Sequence, residues 1–201
     1  MNQAVFGAVV GIVGVVIGSF LTLLRETWSD SRMRARHARY LAIRVVCTLD
    51  KYVENCAEVV SDDGLCMGQR DKEGCLQAQV PTPPPLAFPD GLDWKSIDHA
   101  LMYRLLSMPN EAEAADRKID FVSQYVAGPP DFEEFFEERR DKYATLGLAA
   151  FALTQEMRTK YDIPQQTLGE WNPAERLAKA KEQVEKDRRD RMQRLAASPL
   201  L

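Results

Sequence analysis

The stretch "LAIRVVCTLDKYVENCAEVV", residues 41–60, decides the fold class. Its apolar side chains recur at intervals of four and three residues, which is the repeat of one face of an α-helix. The residues on that face are Leu41, Val45, Leu49, Tyr52, Cys56 and Val59. The sequence "SDDG" follows at 61–64, and its glycine suits the left-handed conformation that commonly ends a helix. A helix with one apolar face requires other elements to cover it.

Four later segments each begin with a polar residue that can cap a helix: Ser96, Asn110, Asp131 and Asn172. The last three are each followed, three residues on, by a glutamate that strengthens the start signal: Glu113, Glu134 and Glu175. The helix that starts at Asp131 can run to about Tyr161, with an apolar face made of Phe132, Phe136, Tyr143, Leu146, Ala150, Leu153, Met157 and Tyr161. No alternating strand pattern of useful length appears. The sequence therefore predicts an all-α fold built around a small helical bundle.

The last predicted helix differs from the others because it is highly charged. Its only large apolar residues are Leu177, Val184, Met192 and Leu195. Oppositely charged pairs four residues apart add modest helix stability, on the order of 0.3 kcal/mol each. We therefore expect a mostly exposed C-terminal helix, with a two-stranded coiled coil as the alternative.

Towards the amino terminus, residues 4–24 form an apolar run without a charge. As a helix this run spans about 30 Å, the thickness of the hydrocarbon core of a bilayer. A cleaved signal peptide is the alternative, but the start "MNQAVF" lacks basic residues and the run lacks a small-residue cleavage site. The next most apolar run, 144–153, is too short for a second span. The sequence therefore predicts a single-pass transmembrane helix.

Arginine is concentrated directly after the apolar run. Residues 25–44 contain six arginines against two acidic residues, whereas 45–169 contain 12 basic against 22 acidic residues. The positive-inside rule predicts the plasma (inner) membrane, with the amino terminus outside and the C-terminal domain in the cytoplasm. A basic segment beside a bilayer favours anionic lipid headgroups, by about 1 kcal/mol per residue, and no nucleic-acid partner is expected. This arginine collar consists of Arg25, Arg32, Arg34, Arg36 and Arg39.

Small residues line one face of the predicted membrane helix. At 100° per residue they fall within an arc of about 80°. Such a stripe lets a second helix approach closely, so the sequence predicts a homo-oligomer or pairing with another membrane protein. The alternative is that the glycines face lipid. The small-residue stripe consists of Ala4, Gly7, Gly11, Gly14, Gly18 and Thr22.

The chain divides into five predicted segments. These are a transmembrane helix (4–24), a basic and then amphipathic juxtamembrane helix (25–60), a loop with a proline-rich strap (61–95), a helical bundle (96–162) and a charged C-terminal helix (172–197). The strap contains "VPTPPPLAFPDG", whose prolines favour an extended polyproline II conformation and exclude a helix. We expect a stiff connection between helices, with a docking peptide for an SH3-like partner as the alternative.

No motif predicts a cofactor, a metal site or a catalytic residue. The densest carboxylate cluster lacks the Glu-x-x-His partners of di-metal sites, and we expect it to pair with basic neighbours on a solvated face. That cluster consists of Glu133, Glu134, Glu137 and Glu138. His37 and His99 lie in no catalytic motif.

The cysteines lack the close pairing of zinc ligands. They are Cys47, Cys56, Cys66 and Cys75. We expect reduced thiols that serve as small apolar residues. A disulfide between Cys66 and Cys75 is the alternative, and it would place the domain outside the cytoplasm.

One amino-terminal span, an arginine-rich exit and a helical body form a layout that is common among bacterial membrane proteins. The layout favours a scaffold or interaction protein that assembles through its small-residue stripe. The sequence does not decide whether the chain is an enzyme. Two alternatives stay open: a membrane-tethered enzyme or nucleic-acid-handling subunit without a recognisable motif, and a membrane-active oligomeric effector.

Overall fold

The computed structural model describes residues 2–166 and 171–197, and for 2–24, 26, 27, 29 and 197 it describes the backbone alone. Within these ranges the regular elements are helices, and the sole β-bridge is an isolated one between Cys66 and Gln69. The prediction of an all-α bundle is confirmed. The elements are α1 (Asn2–Val60), a 3₁₀ turn (Trp94–Ser96), α2 (His99–Tyr125), α3 (Glu133–Tyr161) and α4 (Pro173–Ala197).

Helix α1 runs without interruption through 59 residues, a length of about 88 Å. Its carboxyl-terminal part carries the predicted apolar face, and every residue of that face is buried, which confirms the prediction. Residues 30–37 are all exposed, and Ala38 is the first of the described side chains to be buried. The helix therefore enters the bundle only from residue 38 onward.

The predicted transmembrane segment, residues 4–24, belongs to the helical backbone of α1. Its side chains lie outside the described residues. In the part of the chain that the structure does describe, no helix has the length and apolar character needed to cross a membrane. The span therefore stays a prediction from the sequence.

Helix α2 is longer than predicted, because the helices predicted to start at Ser96 and at Asn110 form one continuous helix. Asn110 lies inside this helix and does not start a new one, and Pro109 lies inside it as well. Burial of an unbroken face against α3 outweighs the hydrogen bond that the proline cannot donate. Ser96 is not the cap either, because Asp98 accepts the capping hydrogen bond from the Leu101 amide at 2.9 Å. The unbroken face consists of Leu101, Leu105, Met108, Ala112, Ala115, Ile119 and Val122.

Helix α3 is the centre of the bundle, since α1, α2 and α4 all pack against it. Six residues of its predicted apolar face are buried, and the first and last, Phe132 and Tyr161, are half-buried. The predicted cap is wrong: Asp131 forms an ion pair with Arg70 in the loop after α1, and no side chain caps the helix. Burial of the face, rather than a capping signal, therefore determines where α3 lies.

Helix α4 lies antiparallel along α3, and it is more closely packed than the sequence predicts. Its outward face is exposed, as expected, and so are Met192 and Leu195. Leu177 and Val184, however, are buried against the bundle. Burying these two side chains contributes about 1.5–3 kcal/mol each. The expectation of a mostly exposed helix therefore needs correcting for this inner face.

At Gly147 of α3, both α4 and α1 approach closely. A Cβ atom at this position would lie 2.7 Å from Cδ1 of Leu177 on α4 and 3.0 Å from Cβ of Cys56 on α1. The first distance is shorter than real Cβ contacts and the second is at their tight limit, so a side chain at residue 147 would force Leu177 or Cys56 to move. Helix α4 can therefore seat Leu177 only because residue 147 has no side chain.

The segment between α1 and α2 crosses the bundle as an extended strap. Its Pro83 and Leu86 are buried, and the ring of Phe88 packs edge-on against Trp94 with the ring centroids 5.5 Å apart. Proline fixes φ, so these contacts hold the connection with little loss of chain entropy. The packing agrees with a stiff connection between helices.

Replacing Gly147 with alanine tests the close approach of the three helices. We expect the substitution to lower the free energy of unfolding by about 1–3 kcal/mol, because the added methyl overpacks the contact. At an exposed helix position the same change would add about 1 kcal/mol of stability. Gly128→Ala is the control, since a Cβ there meets no atom within 4 Å. Urea denaturation monitored by circular dichroism measures both, and a Gly147→Ala variant as stable as the wild type would contradict this packing.

Candidate functional site

A buried ion pair joins the end of α1 to the amino-terminal part of α3. The side chains of Asp62 and Arg139 are 1% and 3% exposed, and Nη1 of Arg139 donates to Oδ2 of Asp62 at 2.8 Å. The guanidinium also donates to the carbonyl of Val80. The carboxylate accepts hydrogen bonds from the amides of Gly64, Gln79 and Val80 at 3.0, 2.9 and 2.9 Å. One carboxylate therefore closes the loop that follows α1.

The hydrogen bonds keep Asp62 charged in the folded protein. Burial alone would raise its pKa, but the amides of Val80 and Gly64 and the Arg139 guanidinium outweigh burial, so the pKa lies below its ordinary value of 3.8. Because the folded pKa is depressed, this group stabilises the fold above about pH 4, and the contribution is lost as the pH falls through the folded pKa. The sequence gives no signal for the pair, since its members are 77 residues apart.

A second ion pair ties the end of α3 to α1. Nη2 of Arg158 donates to Oδ2 of Asp50 at 2.5 Å, and Nη1 donates to the carbonyl of Pro164. Burial is the larger effect on Asp50, so its pKa is raised above 3.8 in spite of the guanidinium. The pair borders a hollow of about 170 Å³ that Phe151 and Gln155 also line. Among the described residues Arg158 Nε is buried without a hydrogen-bond partner, while the two terminal nitrogens join α3 to Asp50 of α1 and to the segment after α3.

Glu137 and Glu138 of the carboxylate cluster of α3 lie beside α4. Arg188 donates from Nε to Glu137 at 2.8 Å and from Nη1 to Asp141 at 3.1 Å. Lys181 lies 2.6 Å from Asp141, and Arg191 lies 2.5 Å from Glu137. These ion pairs flank the buried Val184 along the helix. Helix α4 is therefore seated on α3 by two apolar side chains and an ionic rim.

These contacts correct the expectation of a solvated cluster at Glu137 and Glu138, whereas Glu133 and Glu134 are exposed as expected. Glu138 does have a partner within its own helix, Lys142 at 3.4 Å, but Asp141 is buried and binds α4. Burial alone would raise the pKa of Glu137 and of Asp141, yet the basic side chains of α4 lower both. Among the described residues, no group of three or more His, Cys, Asp or Glu side chains is placed to hold a metal ion.

The two histidines lie apart from this cluster. Nδ1 of His37 is 3.4 Å from Oδ2 of Asp93, which links α1 to the end of the strap. His99 is exposed in the first turn of α2. The geometry gives His37 a structural partner and leaves His99 on the surface.

All four cysteines are free, so Cys66 and Cys75 form no disulfide. Cys56 is fully buried, and burial raises the pKa of its thiol to about 12, which favours the uncharged form. Cys47 and Cys66 are exposed. The expectation of a small apolar residue therefore fits Cys56 alone among these three.

The predicted arginine collar is divided in the structure. Arg39 donates to the carbonyl of Asp162 at 3.0 Å and so fastens α1 to the end of α3. Trp28 is 68% exposed, and the guanidinium of Arg32 lies over its ring, 5.3 Å from the centroid. The members that stand on the exposed part of α1, ahead of the bundle, are Arg25, Arg32, Arg34 and Arg36.

The positions of the small-residue stripe share one face of α1 with exposed residues of its later turns. The side chains of Ala4, Gly7, Gly11, Gly14, Gly18 and Thr22 lie outside the described residues. Because α1 is one helix, steps of 100° per residue still relate their positions to the rest of it. They fall in the same arc of about 80° as six exposed residues: Arg25, Arg32, Arg36, Tyr40, Ile43 and Cys47. The bundle packs on the opposite face.

Comparisons with protein-family models, with curated proteins and with solved structures found no match to this chain. A functional interpretation therefore rests on the geometry of the chain itself. Two surfaces are relevant to function: the outward face of α1 and the face of α3 on which α4 packs.

Replacing Asp62 with asparagine tests the buried pair. We expect the free energy of unfolding at pH 7 to fall by about 3–5 kcal/mol, because Arg139 is left buried without a counter-charge. The acid-dependent loss of stability that belongs to Asp62 should disappear as well. Asp63→Asn is the matched control, since Asp63 is exposed and its hydrogen bond to the Leu65 amide needs only an oxygen. Urea titrations between pH 2 and 7, which cover the range in which carboxylates titrate, measure the free energy of unfolding of both variants. Equal stabilities of the two variants would contradict a stabilising role for the Asp62–Arg139 pair.

Proposed function

We propose that this protein is a membrane-anchored scaffold, with α1 as a single rod that spans the plasma (inner) membrane at residues 4–24 and carries the helical bundle in the cytoplasm. The continuity of α1 is the observation that carries this proposal, because an apolar segment and a folded domain share one helix. The four exposed arginines directly after the segment support the orientation. Trp28 beside them is the kind of residue that favours a membrane interface.

The exposed part of α1 sets the distance between the membrane and the bundle. Thirteen residues, 25–37, lie between Leu24 and Ala38, the first of the described side chains to be buried, which corresponds to about 20 Å of helix. Arg25 and Trp28 would lie in the headgroup layer, and Arg32 would reach it through its long side chain. The bundle would therefore stand clear of the lipid, with its surface open to partners.

The small-residue stripe is the proposed contact with a second copy or another membrane protein. Its arc lies opposite the bundle, so pairing through the stripe leaves both bundles on the outside without a clash. The same arc continues into Arg25, Arg32 and Arg36. In a parallel pair of α1 helices, these arginines of one copy would repel those of the other. The paired region is therefore expected to end near Thr22.

Cysteine crosslinking in native membranes tests the stripe. In a chain without its own cysteines, we expect Gly11→Cys and Gly14→Cys to give crosslinked dimers, because these positions face the partner helix. Val10→Cys and Val13→Cys are the controls, on other faces of the same turns. Equal crosslinking at all four positions would overturn pairing through the stripe.

A reporter fused after Leu201 tests the orientation. A reporter enzyme that works only in the cytoplasm should be active at this position, and a reporter enzyme that works only in the periplasm should be inactive. The reason is that the arginines after the span keep the carboxyl-terminal side in the cytoplasm. Replacing the four exposed collar arginines with glutamine should weaken this bias. Activity of the periplasmic reporter alone in the wild-type chain would contradict the topology.

A further inference from the structure

The seat of α4 on α3 defines a recognition pattern for a helix. The residues of α4 that meet α3 follow intervals of four and three, as in one face of a helix. Two are apolar and buried, and three are basic and paired with carboxylates of α3. In order they are Leu177, Lys181, Val184, Arg188 and Arg191.

The two halves of this seat differ in how well they are filled. At Gly147 the fit is tight, since the side chain of Leu177 occupies the space that a Cβ would need. Beside Val184 a hollow of about 330 Å³ stays open. Its other apolar neighbours are Leu76 and Phe136, and the remaining lining side chains are charged: Asp131, Glu133, Glu137, Arg140 and Asp187. Helix α4 therefore fits the first half closely and underfills the second.

Helix α4 packs against α1 as well as α3, and the rest of its surface is exposed. Its outward face carries ion pairs within the helix, such as Lys179 with Glu175 at 2.7 Å, so the segment retains helix-favouring contacts when it leaves α3. Salt screens the partly exposed ionic rim. A competing helix with the same charges and a larger apolar residue in the open hollow would bind better.

We propose that the α4-binding face of α3 is a receptor for a basic amphipathic helix of a partner protein, and that α4 occupies this receptor as an internal, displaceable substitute. The partner helix presents two apolar residues seven positions apart, a basic residue between them and two basic residues after the second. This inference deepens the proposed scaffold function by naming the class of partner. Its test uses detergent solution without a bilayer, so it can fail while crosslinking in membranes succeeds, and the reverse.

Peptide binding to the full chain tests the receptor. A fluorescent peptide with the sequence of residues 173–197 is titrated with the chain in a nonionic detergent, and anisotropy is measured. We expect a Val184→Leu peptide to bind about fourfold more tightly, the effect of one additional buried methylene. An Arg188→Glu peptide should bind at least tenfold more weakly. Arg189→Glu is the matched control, since Arg189 is exposed next to it, and it should change the affinity less than twofold.

Placing Arg188→Glu in the full chain should have the opposite effect on peptide affinity, because α4 of the chain competes with the peptide for the same face of α3. The Arg188→Glu chain should bind the wild-type peptide at least tenfold more tightly than the wild-type chain does, because its own α4 competes less well. Circular dichroism checks that this variant folds, and Arg191→Glu takes its place if it does not. Unchanged affinity, or equal effects at Arg188 and Arg189, would overturn the proposal. Dimers of the Arg188→Glu chain in sedimentation would also overturn it, since a second copy would then be the occupant.

Discussion

The packing of α1 against α3 is the contact on which the rest of the structure depends. The two helices bury their apolar faces in each other, and the absence of a side chain at Gly147 brings them close enough for α4 to join. Helix α1 also contacts α4, so moving α1 outward would remove part of the packing that holds α4. The strap after α1 packs on the same core through Leu86. Every other element therefore takes its position from this pair of helices.

Buried charges then fix the connections that apolar packing leaves free. Asp62 with Arg139 closes the loop after α1, and Asp50 with Arg158 fastens the end of α3. Desolvation makes such pairs costly to form and costlier to break, because removing one partner leaves an uncompensated buried charge. The ionic rim of α4 is more exposed, as the half-exposed Arg188 and Arg191 show. It is therefore the weaker attachment and the one suited to exchange.

The spacing of apolar residues in the sequence predicted which helix faces are buried in the bundle. The apolar faces of α1 and α3 followed from the sequence, because intervals of three and four residues have one helical interpretation. The capping signal at Asn110 failed, since the unbroken face of α2 outweighs a cap worth about 1 kcal/mol. The signal at Ser96 failed because Asp98, two residues on, makes the cap. The seat of α4 could not be predicted, because Arg188 meets Glu137 across 51 residues and looks like any surface charge in the sequence. The small-residue stripe rests on sequence alone and stays a prediction.

The distance between two spin labels on α1 tests whether one rigid helix joins the proposed span to the bundle. Labels at Arg25 and Lys51, both exposed, are measured by pulsed electron resonance in lipid nanodiscs, with the native cysteines replaced. A continuous helix of 26 steps predicts a narrow distribution centred at about 39 Å. A flexible chain of that length would give about 28 Å. A broad distribution, or one centred below about 30 Å, would contradict a rigid connection.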